Sequence, residues 1–169
     1  MTESFTNFGV NGENERKQDK ENITIANYQQ LAMRTCLPSC KNEDYAEYGY
    51  QSEVFELHSK IWGYKAKKVR GDSEEKLAEI ERGIIDEIGD CFWFLALKCS
   101  LGRMSFEKIY KAKHKDLKGA EIAIKACIDA LISFSKHWET LPLTCMRANI
   151  KKLSSRAERG VLKGNGDSR

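Results

Sequence analysis

Residues 74–100 read EEKLAEIERGIIDEIGDCFWFLALKCS. Within them Ile80, Ile84, Ile88, Cys91 and Leu95 recur at steps of three and four, which lines one face of a 3.6-residue helix and no face of a strand. Ser73 precedes the run, and Glu74 and Glu75 fall in its first turn, where a hydroxyl and negative charge satisfy the unbonded N–H groups and the positive end of the helix dipole. Leu101-Gly102 closes the segment.

Outward from this helix the same periodicity takes in most of the chain. Upstream, Gly71-Asp72-Ser73 marks a break, and a helix from near Tyr45 to about Arg70 shows Tyr50, Val54, Leu57 and Ile61 on one face. An opening helix from Thr24 to Thr35 is expected to bury Ile25, Tyr28, Leu31 and Ala32. Downstream, Ser105 caps a helix running to about His114, a fifth covers 119–138, and Pro142 separates it from a last helix over Thr144 to Arg159. Only two prolines interrupt the chain and no strand pattern competes, so the fold class is all-α. A length of 169 residues suits one core. The helical domain is placed at 22–159, after a polar arm (1–21) expected to be disordered and before a Gly-rich basic tail (160–169).

Composition narrows the function classes. Lys and Arg number 28 against 25 Asp and Glu, a net charge of +3 with both signs mixed, so no general nucleic-acid signature exists and nucleic acid is not an expected partner. The longest apolar stretch, CFWFLALKC, is too short to cross a bilayer, and the first twenty residues resemble neither a signal nor a transit peptide; a cytoplasmic location is expected. Six cysteines lack the spacing of a zinc site or a disulfide scaffold and are expected as reduced, mostly buried thiols.

The chemistry lies in carboxylates. Glu53 and Glu56 stand three residues apart on the second helix, and Glu87 and Asp90 repeat that spacing on the third. At about 100° per residue, Glu53 falls about 50° and Glu56 about 110° from the centre of their apolar stripe, and Glu87 and Asp90 about 60° and 120° from theirs. If the two helices pack as a hairpin, all four acids converge at its margin. Carboxylates that close repel one another unless a cation compensates, and Mg²⁺ takes oxygen ligands while sharing its shell with phosphates. A di-iron bundle is disfavoured, because His58, His114 and His137 do not follow a Glu in the Glu-x-x-His spacing. Acids on an ordinary solvated helix face are the structural alternative.

The same residues carry a resemblance. Glu53-Val-Phe-Glu56, followed about thirty residues on by Glu87-Ile-Gly-Asp90-Cys-Phe-Trp-Phe-Leu, resembles the ExxE and ExxD signature of the MazG-like all-α nucleotide pyrophosphatases, whose second half typically reads E-L-G-D-V-L-W-Y-L. Asn149, Lys152 and Arg156 resemble an N-x-x-K-L-x-x-R pattern near the C-terminus, and the final RGVLKGNGDSR is similar to an R-G-x-x-K-G-x-G-D-x-R tail. The resemblance covers about residues 25–102 and 144–169 and leaves 105–143 as an inserted helical pair. It implies Mg²⁺, or Mn²⁺ in its place, held by Glu53, Glu56, Glu87 and Asp90. It also implies cleavage of a nucleoside triphosphate to a monophosphate and pyrophosphate, with Glu53 or Glu56 orienting the water. A homo-oligomer, dimer or tetramer, with the site near a subunit boundary is expected from it.

Two positions depart from the pattern: Ser52 stands where the family has Gly, and Phe94 where it often has Tyr, which removes a hydroxyl available for substrate contact. Between 147 and 169 seven basic residues face two acids among three glycines, so Asn149, Lys152, Arg156, Lys163 and Arg169 are the expected phosphate ligands. Two other readings stay open at this point: a non-enzymatic helical interaction module using the basic tail on nucleic acid, and a pyrophosphatase for a related substrate such as phosphoribosyl-ATP.

Overall fold

The structure is a computed structural model and describes residues 22–162. They form six α-helices, α1 (Ile25–Arg34), α2 (Glu43–Arg70), α3 (Glu74–Leu101), α4 (Phe106–Lys111), α5 (Ala120–His137) and α6 (Pro142–Glu158), with short 3₁₀ turns at Pro38–Cys40 and His114–Asp116. No strand occurs among the described residues, so the all-α expectation holds. None of these helices is long and apolar enough to cross a membrane. The expected arm (1–21) and the tail from 163 onward, with Lys163 and Arg169, lie outside the described residues.

Gly71 sets the organisation. Its φ of 77° lies in the left-handed region that a side chain disfavours, and its N–H and that of Asp72 bond back to Lys68 and Lys67, ending α2. The chain turns, and α3 begins two residues later. Glu47 meets Lys98 at 2.5 Å and Lys60 meets Glu87, so α2 and α3, 28 residues each, run antiparallel as a hairpin.

Around α3 the other helices close a single core. Trp93 of α3 donates its indole N–H to the Ala32 carbonyl of α1 at 3.1 Å and to the hydroxyl of Thr35, the C-cap of α1, at 3.0 Å. Gln29 ties the α3–α4 junction, donating to Ser100 and Met104 and accepting from the Phe106 N–H. The 105–143 segment does not stand off from the bundle: Phe106, Ile109, Ile128 and Leu131 are buried in the same core, with Phe106 against Tyr28 and Phe92. α6 crosses α3 at Gly89, where an added Cβ would lie 2.6 Å from the Cys145 carbonyl oxygen and 3.0 Å from the Asn149 Cβ. Glycine there is what lets the two backbones approach.

Helix ends differ from the sequence expectation for local reasons. α2 starts at Glu43, not Tyr45, because the Asn42 side chain accepts the Tyr45 N–H at 2.8 Å. Pro142 does not precede the last helix but occupies its first turn, where a missing N–H costs nothing. α4 stops at Lys111, and His114 begins a separate 3₁₀ turn. Ser73 sits at the N-cap of α3 but makes no side-chain capping bond. None of the six cysteines forms a disulfide; five are buried and Cys127 is half-buried.

Candidate metal and phosphate site

The hairpin and the α6 crossing bring acids and bases from three helices to one place. Glu53 of α2 and Glu87 and Asp90 of α3 each offer a carboxylate oxygen within 4.8 Å of the others. From α6, Lys152 bonds Asp90 Oδ2 at 2.5 Å and the Asn149 amide donates to Asp90 Oδ1. On the opposite flank Lys60, one face-repeat along α2 from Glu53, donates to Glu87 Oε1. Its stem lies 3.3 Å from where a Cβ on Gly83 would sit, so that glycine gives the chain its path.

Burial makes the cluster electrostatically tense. Loss of solvent, then the charge of Asp90, a hydrogen bond with Glu87 and the charges of Glu87 and Glu56 push the Glu53 carboxyl up to about 9. Asp90 is also raised, by burial first, although Lys152 and Asn149 pull against it. Burial likewise raises the Cys91 thiol, with Glu53, Asp90 and Glu87 adding to the effect, so this cysteine is an inert wall of the site. Three carboxyls with two ammonium groups leave one negative charge in excess, which a proton on Glu53 neutralises; a divalent cation at the same oxygens would reverse it, leaving one positive charge.

Two further polar atoms are buried near Asp90. The Tyr28 hydroxyl, fully buried and close enough to feel the Asp90 charge, has no hydrogen-bond partner among the described residues. Asn149 is 1% exposed, and with its amide donating to Asp90 its Oδ1 has no partner there either. Such atoms are uncommon in a folded core and mark a place where polar groups are assembled for more than packing. The donor set is all oxygen, three carboxylates in reach of one point, and it fits a hard divalent cation such as Mg²⁺.

The expected residues do not all converge. Glu53, Glu87, Asp90, Asn149 and Lys152 do. Glu56 is outside the triad of close oxygens, although its charge reaches Glu53. Arg156 follows Lys152 one turn later on α6 and is half-buried. Phe94 is no part of the site: its ring is buried over Gly49, where a Cβ would come within 2.2 Å of it, and beside Tyr45. A hydroxyl at that position would meet the core and not a substrate. Lys60 joins the site through Glu87 and is not among the phosphate ligands expected from sequence; the signal for it is its seven-residue spacing from Glu53 on the same margin of α2.

No protein-family model, no curated protein and no solved structure matches this chain.

Proposed function

We propose that the chain is a MazG-like, Mg²⁺-dependent nucleoside triphosphate pyrophosphohydrolase, releasing a nucleoside monophosphate and pyrophosphate. The observation that carries this reading is the convergence of Glu53, Glu87 and Asp90 from two helices with Lys152 and Asn149 from a third. With Glu87 buried and Glu53 and Asp90 half-buried between Lys60 and Lys152, this arrangement supports the reading over that of acids on a solvated helix face.

Glu53, Glu87 and Asp90 would hold the cation. When bound, Mg²⁺ or Mn²⁺ supplies Lewis-acid stabilisation of the phosphate oxygens and acidifies the attacking water. Of the two candidate bases, Glu53 and Glu56, Glu56 lies one turn away and outside the close triad and would accept a proton from water at its carboxylate. Lys60 and Lys152 flank the acids, and their ammonium groups would exchange a carboxylate for a phosphate oxygen as substrate enters. Arg156, one turn beyond Lys152 on α6, would meet the pyrophosphate leaving group; Lys163 and Arg169, expected as phosphate ligands from the sequence, lie outside the described residues. Glu53, Glu87 and Asp90 thus position, and Glu56 moves the proton.

Incubation with each nucleoside triphosphate, deoxynucleoside triphosphate and phosphoribosyl-ATP in millimolar Mg²⁺, with separation of products, tests the reading. Monophosphate with pyrophosphate is the expected outcome. Diphosphate with orthophosphate, or no turnover across the panel, overturns it, and turnover of phosphoribosyl-ATP alone moves the assignment to that substrate.

A further inference from the structure

α6 presents polar groups on two sides, and the acid cluster uses one of them. Asn149 and Lys152 point to Asp90. Arg147, Lys151, Ser154 and Glu158 recur at steps of four, three and four, and at about 100° per residue their centre lies about 160° round the helix from that pair. This second side walls a groove of about 430 Å³ against Ile23, the lead into α1. The volume is that of a site for a small organic molecule.

The groove combines an apolar floor with uncompensated positive charge. Ile23 and Ile150 line it and are each 4% exposed. Arg147 donates from Nε and Nη2 to the Ile23 carbonyl at 3.1 and 2.9 Å, which fixes the guanidinium plane beside the isoleucine. A carbonyl accepts those bonds without neutralising the charge, and three of the five guanidinium N–H groups are left for other acceptors. Lys151, one turn further along α6, is exposed and has no ion pair among the described residues. Ser154 and Ser155 add hydroxyls, and Glu158 is the one acid of the lining, so two cations face one carboxylate.

We propose that this groove binds a small phosphomonoester with an apolar or aromatic body, its phosphate on Arg147 and Lys151 and its body on Ile23 and Ile150. A phosphomonoester carries close to two negative charges, which match a guanidinium fork and a neighbouring ammonium. An inorganic anion would leave the apolar floor in water, and a neutral apolar molecule would take the two cations out of water without a partner. Arg147 is already held by Ile23, so ordering it for a ligand costs less than ordering a free side chain. No member of the acid triad lines the groove, and the proposal does not rest on the pyrophosphohydrolase reading.

Titration of the full chain with phenyl phosphate in EDTA, followed by calorimetry and by amide chemical shifts, tests the site. EDTA keeps divalent cations off the acid cluster. A Kd of about 1 mM or tighter is expected for a ligand of this size, with shifts at Ile23, Ile150 and Ser154. Inorganic phosphate should bind at least ~10-fold more weakly, having no body for the floor. Lys151→Gln should weaken phenyl phosphate at least ~5-fold, and Lys151→Gln with Arg147→Gln at least ~30-fold. The single variant removes an exposed, unpaired side chain, so it tests the site even where loss of the Arg147 bond to Ile23 loosens α1. No binding at ~10 mM phenyl phosphate, equal binding of inorganic phosphate, or full binding by Lys151→Gln overturns the proposal. Loss of binding in Lys152→Gln but not in Lys151→Gln does so too, because it puts the anion on the opposite side of α6.

Discussion

The two long helices of the hairpin have the same length and opposite fates. Thirteen residues of α3 are buried against two of α2, because α3 is covered by α1, α2, α5 and α6, whereas α2 lies at the edge of the bundle. The acid cluster forms where they differ. α3 carries Glu87 and Asp90 into low dielectric, and α2 supplies Glu53 from a margin that solvent still reaches. On the proposed function, the central helix would provide the tension that gives carboxylates a reason to bind a cation, and the edge helix would provide access for a substrate.

The largest effect should come from breaking the cluster on either helix. Asp90→Asn and Glu53→Gln are each expected to lower turnover at least ~100-fold, with the helical signal intact, and to abolish Mg²⁺ binding measured by calorimetry. Glu56→Gln should lose turnover comparably yet keep Mg²⁺ binding, which separates proton transfer from ligation. Equal retention of activity in all three would make the acids structural.

Metal itself should register in stability. A cation that binds only the folded cluster adds about 2.7 kcal/mol at a hundredfold excess over its Kd, or about 5–10 °C in Tm for a chain of this size. Removal of Mg²⁺ with EDTA should reverse the shift, and Asp90→Asn should erase it.

Glycines sharpen the comparison further. Gly89→Ala on α3 forces a methyl to 2.6 Å from the Cys145 carbonyl oxygen and should cost about 1–3 kcal/mol, read as a lower urea midpoint. Because the same crossing sets Asn149 and Lys152 on Asp90, activity should fall with it. Gly63→Ala on α2 meets nothing within 4 Å and should raise stability by about 0.5–1 kcal/mol through helix propensity alone. The smallest contrast is at the caps. Asn42→Ala removes the bond to the Tyr45 N–H and should cost about 1 kcal/mol, whereas Ser73→Ala removes no capping bond and should cost a few tenths at most.

Much of this was legible in order along the chain. The apolar stripes placed all six helices to within a few residues, and the wheel set both acid pairs on matching margins, since each depends only on the 3.6-residue period. Lys60, Asn149 and Lys152 were visible as residues, but their partners were not, because each partner lies on another helix. Phe94 was misplaced for a related reason. Trp93 adjoins it in sequence and in space, but it is Gly49, on another helix, that decides that it belongs to the core.

The sequence by itself determined that the chain is helical, where it turns, and which acids share a margin, because periodicity, capping and a glycine with positive φ act over a few residues. Tertiary structure alone decided that Tyr48, Phe55, Trp62 and Val69 on the other side of α2 stay exposed, and that Glu53, Glu87 and Asp90 close into a triad while Glu56 stays beside it. The physical reason is that burial and repulsion are properties of neighbours in space: α6 can reach Asp90 only through the gap that Gly89 leaves, and nothing within one helix encodes that approach.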